Sequence, residues 1–137
     1  MNSLDLSTGP ETQIRFISLG MVVLDEIRFP NGKTLFDVPD GSGLYSTLGA
    51  RIAVAETTEP EKIGSVVLAG RDFPNSLQAV LRDWGLNLLF KMDSSRLSTR
   101  GLIEYKGTNF KDRTFPYTTP PLQPMPSDLR GNPNLRS

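Results

Sequence analysis

The stretch DGSGLYSTLGARIAV, Asp40 to Val54, reads as a glycine-rich turn that opens a helix. Leu44, Leu48 and Ile52 recur at fourfold spacing, and Ala50, Ala53 and Ala55 add helix propensity. Two readings of the glycines stand side by side. In one, Gly41 and Gly43 only make a tight turn before a packed helix. In the other, the backbone amides from Gly41 to Gly43, unshielded by side chains, face a polyhydroxylated or anionic ligand at the positive end of the helix. The segment is no dinucleotide fingerprint, because Ser46 stands at the third glycine position and a hairpin precedes it. No glycine-led Gly-Lys-Ser/Thr occurs at the spacing of a phosphate loop.

Upstream, the apolar run IRFISLGMVVLDEI predicts a buried strand ending near Gly20 to Val23. Asp25 follows it directly, where open α/β sheets place ligand-binding groups. A carboxylate there can accept hydrogen bonds from two vicinal hydroxyls at once, or be an ordinary solvated turn residue beside Glu26. Asn31-Gly32, between two short apolar runs, predicts a hairpin over Ile27 to Val38.

Downstream, the polar link ETTEPE closes the helix, and IGSVVLAG reads as a strand covered on both faces. Asn75 is the expected N-cap of a helix carrying Leu77, Val80, Leu81 and Trp84 on one face, with Gly85 as its stop. LNLLF then supplies a third buried strand. Two consecutive βα units argue for a parallel α/β sheet. Gly70 and Asp72 in AGRDF are a third candidate site, or a loop capping the following helix. A second hairpin is expected around KGTNFKD. The Pro-rich end, PPLQPMPSDLRGNPNLRS, reads as a loosely ordered tail.

Composition narrows the chemistry. The 137 residues carry 15 basic and 15 acidic side chains, with no Cys and no His. The basic excess of a phosphate-tracking nucleic-acid binder is missing. So are disulfides, thiolate nucleophiles, sulfur-ligated zinc and the usual imidazole base. No apolar run approaches the ~20 residues that span a bilayer, and the opening residues lack a signal-peptide plan. The expectation is an intracellular, cytoplasmic chain without nucleic-acid or membrane partners.

Taken in order, these pieces resemble the N-terminal half of the ribokinase-like, pfkB-type carbohydrate kinases, from about Arg15 to Pro120. SLGMVVLDEI is similar to the family's first strand and its sugar-binding Asp, here Asp25. DGSGLYSTLGARIA resembles the Gly-Gly-x-Gly-x-Asn loop and following helix. LAGRDFPNSLQAVLRDWGLNL is similar to the Gly-x-Asp, amphipathic helix and Gly-Val that come next. STRGLIEYKGTNFKDRTFPY looks like the Thr-Gly strand and hairpin, and its details resemble a fungal subgroup that includes a killer-virus maintenance protein.

The resemblance implies an α/β fold: a partial ribokinase-like parallel sheet with flanking helices and a small β lid of two hairpins, about 27–38 and 102–117. It divides the chain into a disordered arm 1–13, a partial kinase domain 14–120 and a Pro-rich tail 121–137. It implies substrate contacts at Asp25, Gly41, Ser42, Gly43 and Tyr45, with ATP and magnesium serving the full family. Two positions depart from the signature: Asp40 replaces its first Gly and Tyr45 its Asn. The later Gly-Ala-Gly-Asp loop, which supplies the family's anion hole and catalytic base, does not occur in the sequence. No catalytic residue, cofactor site or metal ligand is therefore assigned to this chain, and the reading is of a partial kinase inactive alone. Partners would be a sugar or nucleoside and, through the lid strands, a second copy or a full-length relative. The alternative is an interaction module built on those strands.

Overall fold

A computed structural model of the protein describes residues 13–56 and 59–132. The expected arm, up to residue 12, and the end of the tail, 133–137, lie outside the described residues. The chain builds two sheets. In the core sheet, β1 (Phe16–Ser18), β4 (Ile63–Gly70) and β5 (Asn87–Asp93) run parallel in the order β1-β4-β5. In the second, β2 (Val23–Arg28), β3 (Thr34–Asp40), β6 (Arg100–Tyr105) and β7 (Arg113–Thr114) take the order β3-β2-β6-β7. There β2–β3 and β6–β7 are antiparallel hairpins, joined by the parallel pairing of β2 with β6.

The run from Ile14 to Ile27 thus holds two strands and not the expected buried strand ending near Gly20 to Val23. It breaks at Gly20, leaving a short, half-exposed β1 in the core sheet and β2 in the lid. Leu24 and Asp25 lie within β2, so Asp25 is a buried strand residue, neither one that follows the strand nor a solvated turn residue. The physical cause is crossing: the link 19–22 passes under the start of helix α1 (Ser42–Ala53). A side chain at Gly20 or Gly43 would collide with the backbone of the other.

The hairpin at Asn31-Gly32 forms as expected. Phe29 N–H donates to Lys33 O at 2.9 Å, Lys33 N–H donates to Asn31 Oδ1 at 3.0 Å, and Gly32 takes φ +85°. Helix α2 (Asn75–Asp83) begins one residue earlier than an Asn75 cap requires: Pro74 is the boundary residue and its carbonyl accepts from Gln78 N–H at 3.1 Å, which makes Asn75 the first helical residue.

Leu44 of α1 and Leu77 and Leu81 of α2 join Val67 and Ala69 of β4, with Val22, Leu24 and Phe73, in one core. Trp84, Leu88 and Phe90 close its edge, Phe90 meeting Phe73 edge-on. Two residues expected on apolar helix faces point outward instead: Ile52 is 64% exposed and Val80 is exposed too. The α1 seam runs through Leu44 and the buried Thr47, whose hydroxyl donates to Gly43 O at 2.7 Å, and it turns away from the sheet before Ile52. β4 is buried on both faces as read, whereas β5, at the end of the sheet order, is only half buried.

The described part of the tail is packed rather than loose. Leu122 and Pro124 are buried, and Leu122 N–H donates to Thr99 Oγ1 at 2.8 Å. Gln123 Nε2 reaches Leu19 O at 2.7 Å, and Lys91 Nζ donates to Asp128 O at 2.6 Å. Prolines permit this because each removes a backbone donor that would otherwise need a partner and enters with φ already fixed. A strut ties the two sheets: Arg100 at the start of β6 bonds Asp72 Oδ2 at 2.5 Å and Asp37 Oδ1 at 2.7 Å.

Leu81→Ala is expected to cost about 2–5 kcal/mol, because Leu81 is buried against β4. Val80→Ala, one residue away and exposed, should stay within about 0.5 kcal/mol. Urea denaturation of the two variants checks the pair.

Candidate functional site

At the seam between lid and core lies a cleft of about 340 Å³. One wall is α1 and the turn before it, with Gly41, Ser42 and Tyr45; the other is the lid, with Asp40, Phe115 and Tyr117. Met21 and Val23 line it where the chain passes from β1 to β2. Phe115 and Tyr117 pack edge-on with centroids 5.6 Å apart, and Tyr45 is 58% exposed.

The glycine pair is shaped first by this crossing. Gly41 takes φ +105°, and a Cβ there would strike Met21 O; Gly43 donates its N–H to Met21 O at 3.0 Å. Gly41 N–H in turn donates to Asp40 Oδ1 at 2.6 Å. Two of the three amides expected to face a ligand therefore bind the protein's own backbone and side chain. What remains at the cleft is the Gly41-Ser42 edge and the Tyr45 ring.

Asp25 lies behind the lid wall. It is 0% exposed, and neither carboxylate oxygen has a hydrogen-bond partner. Its neighbour on β6 is Gly101, whose missing side chain makes the space: a Cβ there would come within 2.6 Å of Asp25 Oδ1 and 2.7 Å of the Phe115 ring. Phe115 thus covers the same point that Asp25 faces. Burial pushes the Asp25 carboxyl up to about 7, and the nearby Asp40 carboxyl pushes further through hydrogen bonding and like charge, although neither Asp25 oxygen is satisfied by bonding geometry. A buried carboxyl without donors is a costly arrangement that a ligand's hydroxyls would relieve.

Gly70 and Asp72 do not join this cleft. Asp72 accepts from Ser98 N–H at 2.7 Å and from Arg100, contacts that hold its carboxyl below the usual range despite the opposing effect of burial. It braces the 94–99 loop and does not cap α2. The sequence reading missed Asp40, Phe115 and Tyr117 as cleft residues. Asp40 stood in view within DGSG, but its pairing opposite Val23 on the Asp25 face of β2 depends on the hairpin register. Among the described residues, no group of three or more acidic side chains could hold a metal ion, and no helix is long and apolar enough to cross a membrane.

No family model matches the chain. It is 32% identical over 111 residues to an uncharacterized protein of Schizosaccharomyces pombe, covering 81% of this chain and 30% of that protein. It is 32% identical over 114 residues to protein MAK32 of Saccharomyces cerevisiae, covering 82% and 31% respectively. The chain spans less than a third of either relative. Among solved structures, it matches a pyrophosphate-dependent kinase of the ribokinase family at TM-score 0.55 and 20% identity, over 83% of this chain and 36% of that one. It matches Anopheles gambiae adenosine kinase at TM-score 0.55 and 11% identity, over 87% and 43%. The fold is ribokinase-like: a mixed α/β arrangement of a parallel sheet, two helices and a second sheet.

The raised Asp25 carboxyl gives a pH dependence of definite sign. The folded state keeps a proton up to about pH 7 that the unfolded chain, with an ordinary value of 3.8, has already released. Stability should therefore fall as pH rises through that window and level off above it. Asp25→Asn should flatten the fall and stabilise the chain above pH 7 by on the order of a few kcal/mol. Urea midpoints across pH 4 to 8 for both proteins measure it; a parallel slope in the variant would refute the assignment.

Proposed function

We propose that this chain forms the acceptor-binding portion of a pfkB-type kinase, in which Asp25, Gly41, Ser42, Gly43 and Tyr45 hold a sugar or nucleoside beneath the lid sheet. The observation that carries this reading is the carboxylate of Asp25, wholly buried in the lid with both oxygens unpartnered and a cleft beside it. Hydroxyl groups are the fitting occupants, since both carboxyl oxygens of Asp25 lack partners and vicinal hydroxyls offer two polar groups together, each able to donate or accept. Such a ligand reaches Asp25 as the Phe115 ring turns aside. Gly41 and Gly43 serve by letting the helix start close to the cleft, and Tyr45 supplies a ring where the family signature carries an amide.

The division of labour follows from the fold. The acceptor side binds and orients, which is most of what proteins do in phosphoryl transfer. The donor, ATP with magnesium in the full family, would be held by residues this reading does not assign to the chain, whose sequence contains no Gly-Ala-Gly-Asp. The 137 residues are therefore expected to bind acceptor without transferring phosphate.

A second reading, of an interaction module, rests on β3. This strand ends the sheet order of the lid and carries Phe36, which is 68% exposed. Light scattering over a range of concentrations separates the two: self-association lost on Phe36→Lys supports the module.

Titration calorimetry with pentoses, hexoses and nucleosides tests the first reading. Asp25→Ala should weaken the best ligand by about tenfold or more. No phosphorylated product should form with ATP and magnesium. Turnover above blank that disappears in Asp25→Ala would overturn the expected silence.

A further inference from the structure

The walls of the cleft differ in chemistry from its acidic edge, and that contrast narrows the ligand. Three rings, Tyr45, Phe115 and Tyr117, face the same space from opposite sides, Tyr45 from α1 and the other two from the segment after β7. The acidic groups at hand are Asp40 in the lining and Asp25 behind Phe115. No lysine or arginine lines this cleft. A cation does stand nearby: Arg113 lines a separate depression of about 250 Å³ that shares Asp40 and Phe115 with the cleft, with the Phe115 ring at the boundary between the two.

Resting on the acceptor reading above, we propose that the cleft selects an unphosphorylated nucleoside over a free sugar or a sugar phosphate, its flat base stacking on Tyr45 against Phe115 and Tyr117 while its ribose hydroxyls turn toward Asp25 and Asp40. Rings offer a base the dispersion and quadrupole contacts that a polyol lacks. The Asp40 carboxylate, with no lining cation beside it, disfavours a phosphate in the cleft. The volume, about 340 Å³, falls at the small end of ligand pockets, which run from roughly 300 Å³ upward. Tyr45 is the specificity-determining residue in this arrangement. Its phenol cannot reproduce a carboxamide's paired donor and acceptor, but it presents a broad face at the second turn of α1, and it is exposed enough to be replaced without disturbing the core.

The test titrates the full chain with adenosine, uridine, ribose, fructose and ribose 5-phosphate by calorimetry, with saturation-transfer NMR reading which ligand protons touch protein. The nucleosides should bind about tenfold or more tightly than ribose, with saturation strongest on base protons. Tyr45→Ala should erase that preference, and Tyr45→Phe should retain it. Equal affinities for adenosine and ribose, or a preference that survives Tyr45→Ala, would overturn the nucleoside assignment and leave the acceptor reading standing. Tightest binding of ribose 5-phosphate would overturn it in favour of the Arg113 depression. Failure of every probe to bind would overturn the acceptor reading, and this inference with it.

Discussion

The hydrogen bond from Gly43 N–H to Met21 O, 3.0 Å long, is the contact on which the arrangement of this molecule depends. It pins the first turn of α1 to the link between the two sheets. Because the bond satisfies a helix N-terminal donor with a backbone carbonyl, it needs two main chains in direct contact, and only residues without side chains allow that. Gly20, Gly41 and Gly43 meet there, and each would collide with its neighbour's backbone if it carried a Cβ. The core below and the lid above are both oriented by this one crossing, and the cleft is the space left between them.

From the crossing outward, two kinds of force share the work. Apolar burial holds the core, where Leu81 and Val67 are enclosed between α2 and β4. Polar ties hold the lid to it: Arg100 spans Asp72 and Asp37, Thr99 binds the tail at Leu122, and Gln123 reaches back to Leu19. The lid itself has a sparse interior. Its distal end is an aromatic stack of Phe29 on Tyr105 with Phe110 edge-on, open to water.

Periodicity and turn chemistry made much of this legible in the sequence. Leu77 and Leu81 marked α2, Asn31-Gly32 marked the first hairpin, and the unbroken IGSVVLAG marked the central strand. Local pattern could not reveal that Gly20 separates two sheets, because both halves of that run are apolar and the break is decided by a helix that arrives some twenty residues later. The packing of the tail was equally hidden, since Leu122 looks isolated among prolines until Thr99 is placed beside it. At the site, Asp25 was visible as a residue but not as an orphan. Its burial depends on Gly101 and Phe115, which join it through the parallel pairing of β2 with β6 across a separation that no sequence window covers.

The two walls of the cleft belong to different bodies: Tyr45 and Ser42 ride on the core's helix, while Asp40 and Phe115 ride on the lid. An occupant that touches both is therefore a fourth tie between them, alongside the crossing, the Arg100 strut and the packed tail. Linkage makes the exchange reciprocal. Whatever stiffens the lid's attitude prepares the cleft, and whatever fills the cleft stiffens the lid. The Arg100–Asp37 pair is partly exposed and so is weakened by salt, whereas the Gly43–Met21 bond carries no net charge and is not. Ionic strength thus acts on the looseness of the lid while leaving its pivot in place, giving the molecule a joint whose tension is set by solvent and whose axis is set by glycine.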